Sequence, residues 1–209
     1  MTEHEAAVVR GEGIPKARVE ALLRAVPPRD HETRPESLAR AERQRRRWAT
    51  QVVVADELAR RACADRGLDP PSEVSPTLIP SVAATDIADL GSIVATALAH
   101  SPAARTLLAK LESDQPVPEE AAWDYYTRNR DRYLTPDALR RGVNPFHGAA
   151  DADFVPYEQA RDGITAELRR AAGRHAFFDW LDQARASVTY APGHEHPGDP
   201  SHPDHEHRH

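Results

Sequence analysis

The residues best suited to chemistry are histidines, and most are crowded at one end of the chain. Of 11 histidines, six fall within the last sixteen residues: His194, His196, His202, His205, His207 and His209. Imidazole nitrogen suits Ni(II), Cu(II) and Zn(II). A flexible chain can bring three or four such groups onto one ion, with Glu195, Asp199, Asp204 or Glu206 as auxiliary oxygen ligands. No cysteine lies nearby, so a soft thiolate site is excluded. Each imidazole must be neutral before it ligates, so such a complex is exchangeable and pH-dependent. The same composition also describes a solubilising tail that binds metal adventitiously. Acidic residues and prolines interrupt the histidines, unlike in an artificial tag.

The other candidates are aromatic. Trp48, Trp123, Tyr126, Phe177 and Trp180, with Phe178 beside them, are of the types that anchor protein interfaces, and they also serve as core residues. They are the candidate client-binding set. Arg40, Arg43, Arg45, Arg46 and Arg47 form a basic run, but Glu36, Glu42, Asp56 and Glu57 accompany it, which describes a solvated helix face or a surface for an acidic partner. Cys63 lies in a helical pattern and reads as a buried, inert thiol. His100 and His175 fall on or near apolar helix faces and read as packed residues. There is no Gly-x-Ser-x-Gly elbow, phosphate-cradling glycine loop or Gly-x-Gly-x-x-Gly, so acyl transfer and nucleotide or dinucleotide binding have no support and no organic cofactor is expected.

The chain's net charge of −6 supplies no positive field for nucleic acid. A single cysteine cannot form an internal disulfide, so no oxidising compartment is indicated. The start, Met1-Thr2-Glu3-His4-Glu5, is acidic and leads into no apolar segment of signal-peptide length, and no run approaches the ~18 apolar residues of a membrane span. The expected location is the cytoplasm, with no membrane partner.

Helical periodicity and punctuation place the elements that must carry these residues. Ala6 to Arg10 is short and β-inclined, Gly11-Glu12-Gly13 supplies a turn, and a helix opens at Ile14-Pro15-Lys16 and stops before Pro27-Pro28. A long helix is expected over 35–66, closed by Arg66-Gly67. Further helices are expected over 86–100, from Ser101-Pro102 to Leu111, from Glu119 onward, and over 157–186. Residues 140–155 have no clear period. Ser187 to Tyr190 reads as a strand whose economical partner is the segment around Val8, because an isolated strand leaves its backbone groups unpaired. From Pro192 the sequence is low in complexity, with no apolar residues to pack.

Two stretches carry a family resemblance. Val117-Pro118-Glu119-Glu120-Ala121-Ala122-Trp123-Asp124-Tyr125-Tyr126, continuing to Tyr133-Leu134-Thr135-Pro136, is similar to the run that leads into the prolyl isomerase domain of SurA-like, parvulin-type foldases. Phe154-Val155-Pro156-Tyr157 through Phe178-Asp179-Trp180-Leu181 resembles the helix that returns from that domain to the chaperone core. Val9-Arg10-Gly11-Glu12-Gly13-Ile14-Pro15 looks like the family's opening strand and turn. In the family a domain of about a hundred residues separates the first two stretches. Here only about 140–153 lies there, too little for a folded catalytic domain. The resemblance therefore implies the binding scaffold and argues against the isomerase.

The expected fold is mainly α: a SurA N-terminal-like helical domain over 1–191, with the parvulin insert absent near 140–153. A minimal two-stranded β pair should join its ends, the long helices over 35–66 and 157–186 should pack together, and a disordered His-rich tail should occupy 192–209. The expected function is a chaperone or maturation factor that holds a client protein, a metalloenzyme precursor in the sharpest form, with nickel, zinc or copper on the tail. The alternatives are an isomerase-related enzyme and a metal buffer with a structural helical domain. The sequence sets neither client nor oligomeric state.

Overall fold

A hairpin opens the fold. The computed structural model describes residues 2–26, 35–71 and 82–196. Strands β1 (Glu5–Val9) and β2 (Glu12–Pro15) pair antiparallel, with Val9 opposite Glu12. The connecting residues Arg10 and Gly11 have φ of 49° and 84°. Two successive positive φ values define a type I′ turn, whose twist matches that of the strands it joins. A third strand, β3 (Thr189–Tyr190), pairs with the other edge of β1, giving the order β2-β1-β3. Ala7 faces Tyr190, Val8 faces Thr189, and the Ala191 N–H donates to the Ala6 carbonyl at 2.9 Å. The expected union of the chain ends is therefore present, in a sheet of three strands instead of two. The addition is Glu12-Gly13-Ile14-Pro15, expected as turn and helix start. Pro15 ends the strand and stands as N-cap of helix α1 (Lys16–Ala25).

Helix α2 (Pro35–Asp65) is the central element of this part of the molecule. Every residue from Ala49 to Asp56 is buried, so the middle of α2 has no solvent face. Its chief neighbours are α1, helix α3 (Ala84–His100) and β1. The packing expected between the two long helices is thus not α2's main contact. Gly67 at φ 63° and the Leu68 N–H donating to the Cys63 carbonyl at 2.9 Å close α2, as Arg66-Gly67 suggests.

The arginine run is not a uniform solvated face. Arg45 donates to the Leu23 and Val26 carbonyls and so caps the end of α1. Arg47 is only 3% exposed. Lower on α2, Asp56 and Glu57 receive Arg18 at 2.8 and 2.7 Å, Arg60 bonds Asp56 and Arg61 bonds Glu57, which ties α1 to α2. Burial raises the Glu57 pKa, but the bonds from Arg18 and Arg61 outweigh it and hold the carboxyl below its ordinary range.

Helix α3 is not continuous. Gly91 breaks it with φ 74° and ψ 154°, a backbone open to glycine and strained for other residues. Helix α4 (Pro102–Ser113) starts as expected, with Ser101 Oγ accepting the Ala104 N–H at 3.0 Å and proline in the first turn. No helix among the described residues is long and apolar enough to cross a membrane.

The chain divides into two compact units, Met1–Leu107 with Asp179–His209, and Leu108–Phe178. The second unit contains helices α5 (Glu119–Arg128) and α6 (Pro136–Arg141) and most of α7 (Tyr157–Arg185), with 3₁₀ turns at Arg130–Tyr133 and Asp151–Asp153. Ala122, Tyr126 and Ile164 form its buried centre, with Tyr125, Tyr133, Tyr157, Ala160 and Leu168 packed around them. Gly173 lets α7 approach α4 closely, since a Cβ there would lie 2.6 Å from the Glu112 Cα. Residues 140–155, which showed no period, include the end of α6 and a turn. Thr135 N-caps α6 and Gly142 ends it at φ 69°.

Candidate ligand cleft and the root of the histidine segment

Three separate stretches meet at a cleft of ≈ 470 Å³ in the first unit. The β1–β2 turn contributes Arg10. The end of α2 contributes Leu58, Arg61, Ala62, Asp65 and Arg66. The end of α7 and the residues after it contribute Trp180, Gln183, Ala184 and Ser187. Pairing of β1 with β3 brings the last stretch to the hairpin, because β3 begins only four residues beyond the end of α7.

The three cleft arginines differ in freedom. Arg61 is committed: Nε donates to Glu57 at 2.9 Å, Nη1 to the Val9 carbonyl at 2.9 Å and Nη2 to Glu12 at 2.7 Å. Arg66 donates through Nη1 to the Ala62 carbonyl at 3.3 Å. Arg10 pairs with Asp65 at 2.8 Å, with the two side chains 61% and 53% exposed. So exposed a pair contributes about 0–1 kcal/mol. A non-glycine residue in left-handed backbone costs about 1–2 kcal/mol, and Asn, Asp or Gly fills this turn position more cheaply. The ion pair therefore does not account energetically for arginine at position 10.

The candidate aromatic residues separate on burial. Phe177 and Tyr126 are 2% and 5% exposed and fill the interior. Trp48 is half-buried on α2, and Trp180 is half-buried and lines the cleft. Trp123 is 50% exposed and stands edge-on to Tyr157, with centroids 4.9 Å apart. Trp48 and Trp180 belong to the first unit, and Trp123, Tyr126 and Phe177 to the second. Tyr157 donates to Glu119 at 2.7 Å, and desolvation with that bond pushes its phenol up to about 12, so it stays a neutral donor near neutral pH.

Of the six clustered histidines, His202, His205, His207 and His209 lie outside the described residues, and His196 is half-buried. His194 is part of the fold, 5% exposed, with Nδ1 2.8 Å from Thr50 Oγ1. The Thr50 hydroxyl donates to the Arg46 carbonyl at 2.9 Å. Its oxygen must then accept from the imidazole, which assigns the proton to Nδ1 and leaves the lone pair on Nε2. Burial, followed by the Lys16 and Arg46 charges, lowers the His194 pKa and favours the neutral ring. His194 also lines a second cleft of ≈ 340 Å³ with Lys16, Val19, Glu20, Leu23, Arg46 and Pro192. The next residue, Glu195, accepts the Gly193 N–H at 2.9 Å and lies 3.7 Å from Arg47 Nε. The packed chain thus continues past the boundary expected at residue 191. Among the described residues, no three metal-ligating side chains come together.

Cys63 behaves as expected, fully buried with Sγ donating to the Ala103 carbonyl at 3.4 Å and with its pKa raised by burial. His100 is half-buried and its pKa is lowered, first by burial. His175 is exposed, contrary to the packed position expected from its helix face.

Sequence reasoning missed the cleft arginines. Arg10 carried one usable signal: Arg10-Gly11 is a two-residue connection between β-inclined segments, with glycine at the second position of a hairpin turn. Arg61 and Arg66 carried none, being ordinary residues near a helix end. Comparison with protein-family models, curated proteins and solved structures finds no match to this chain.

Proposed function

We propose that this protein is a client-holding chaperone or maturation factor built on a SurA-like scaffold without a prolyl isomerase domain. It acts in the cytoplasm, and its C-terminal histidines bind nickel, zinc or copper. One observation carries the reading. The two stretches that resemble the flanks of the foldase domain close directly on one another. Leu134 and Phe154 form an antiparallel bridge, the Thr135 N–H donates to the Asp153 carbonyl at 2.8 Å, and the Val155 N–H donates to the Tyr133 carbonyl at 2.7 Å. The Tyr126 hydroxyl donates to the Val155 carbonyl at 2.7 Å, and Arg130 stacks 3.8 Å from the centre of the Phe154 ring. The chain between the bridged positions makes only the short helix α6 and a turn. That is the arrangement expected when a scaffold is kept and its inserted domain is lost.

The test is recovery of bound proteins from native cells by the full chain and by a chain ending at His196, which retains the His194 and Glu195 contacts. Both are run with and without added nickel or zinc. Recovery of one metalloenzyme precursor, weakened by truncation or chelation, supports the reading. A broad set of unfolded proteins indifferent to the histidines overturns dedicated maturation. Prolyl isomerase turnover comparable to a parvulin overturns the holding role.

A further inference from the structure

We propose that the cleft between the β1–β2 turn, the end of α2 and the end of α7 binds an acidic segment of polypeptide. In this arrangement carboxylates are received by Arg10 and Arg66, and the neighbouring apolar side chain lies against Trp180, Ala184 and Leu58. The inference rests on the client-holding reading only for the statement that the segment belongs to a client.

Charge is the first support. The chain as a whole carries −6, yet with Arg61 neutralised by Glu57 and Glu12 the cleft lining still sets Arg10 and Arg66 against the single carboxylate of Asp65. A cationic cleft on an acidic protein is a local feature, and it complements an anion. The second is the division of labour among the arginines. Arg61 is fastened on three sides and holds the turn in place, whereas Arg10 has a solvent-exposed, exchangeable partner in Asp65. An incoming carboxylate can displace Asp65 and take the bidentate face of the guanidinium. The third is backbone. Arg10 is the only non-glycine residue with positive φ among the described residues. Strain retained at a cleft lip, where a cheaper residue fits the turn, points to use of the side chain. The fourth is shape. The cleft is within the usual size for ligand sites, with an indole and aliphatic carbons as its apolar wall.

A single-stranded nucleic acid also combines negative charge with planar groups. A short cleft on a chain of net charge −6 offers no continuous basic track for a phosphate backbone, so the peptide is favoured.

The test uses the full chain and a fluorescein-labelled peptide alternating aspartate with phenylalanine, read by fluorescence anisotropy. A control peptide has lysine for aspartate. The acidic peptide should bind and the basic one should not, and binding should weaken as salt rises. Arg10→Asn fits the turn better, so it should keep or raise the melting temperature while lowering affinity about tenfold. Asp65→Asn removes the competing carboxylate and should raise affinity about threefold. No binding by the parent chain, an unchanged affinity in Arg10→Asn, or a weakened one in Asp65→Asn would each overturn the proposal. So would a loss of stability in Arg10→Asn, or equal competition by a thymidine oligonucleotide. A chain that captures a client yet ignores the acidic peptide loses this inference alone. One that binds the peptide through Arg10 and captures no client loses only the holding role.

Discussion

Tyr126→Phe tests whether the Leu134–Phe154 junction, where a foldase domain is proposed to have been lost, is a built closure. Tyr126 is 5% exposed, and its hydroxyl donates to the Val155 carbonyl at 2.7 Å. Its ring lies 4.9 Å from Tyr133 and 5.5 Å from Tyr157 by centroid, and all of this packing survives in phenylalanine. The substitution therefore removes one buried hydrogen bond and little else. Such a bond contributes about 1 kcal/mol, and stranding its partner adds to the loss. Val155 is half-buried, so water satisfies part of the freed carbonyl. The expected loss is about 1–1.5 kcal/mol. It should appear as roughly tenfold faster amide exchange at Val155 and Thr135, whose N–H groups close the junction. Tyr125→Phe is the control. Its hydroxyl donates to Glu167 at 2.7 Å in a solvent-facing cluster with Arg132, and its removal should cost under about 0.5 kcal/mol. If both variants exchange alike, the Tyr126 bond does not hold the junction, and the proposed closure over a lost domain is refuted.

Two further outcomes follow from buried groups in the first unit. The His194 and His100 pKa values are both lowered from 6.5, chiefly by burial, so the folded state binds fewer protons than the unfolded chain just below that pH. Stability is then complete above 6.5 and falls as the pH drops through the window beneath it, by at most about 1.4 kcal/mol per pH unit for each proton. His194→Asn can keep a donor towards Thr50 and should flatten that slope in urea titrations between neutral and mildly acidic pH; an unchanged slope would remove His194 as a contributor. Arg47 is 3% exposed and leaves Nε and Nη2 without hydrogen-bond partners, with Glu195 at 3.7 Å as its ion-pair partner. Because Glu195 is partly exposed and keeps the Gly193 N–H, Arg47→Met should be neutral or stabilising by about 1 kcal/mol in chemical denaturation. A loss above about 3 kcal/mol would instead make the guanidinium a required tie for the C-terminal segment.

The parts of the fold legible in the sequence are those whose signals are local. Helix starts such as Ser101-Pro102 and stops such as Arg66-Gly67 are encoded by capping chemistry within a few residues, and the structure has them where expected. Strand β2 is hidden in the sequence because Gly11, Gly13 and Pro15 each read as punctuation. In the structure each has a strand-compatible use: Gly11 turns the hairpin, Gly13 leaves room for Glu5, and Pro15 ends the strand. The break at Gly91 is hidden in the sequence by a helical period on both sides of it.

Burial of polar residues was the least legible feature, for a physical reason. Arg47 and His194 are interior through partners far along the chain: Arg47 lies near Glu195, and His194 bonds Thr50. No composition rule assigns a histidine four residues after a strand to the fold when five more follow it in a low-complexity segment. The cleft shows the same limit. Pairing of β3 with β1 was foreseeable from the unpaired backbone of both strands, and it places the end of α7 beside the hairpin turn. Which side chains then face the gap depends on the orientation of α2. A helix buried on all sides over Ala49 to Asp56 has no apolar stripe there from which to infer that orientation. The location of the cleft and the place of Arg10 in its hairpin turn were within reach of the sequence, and Arg61 and Arg66 were not.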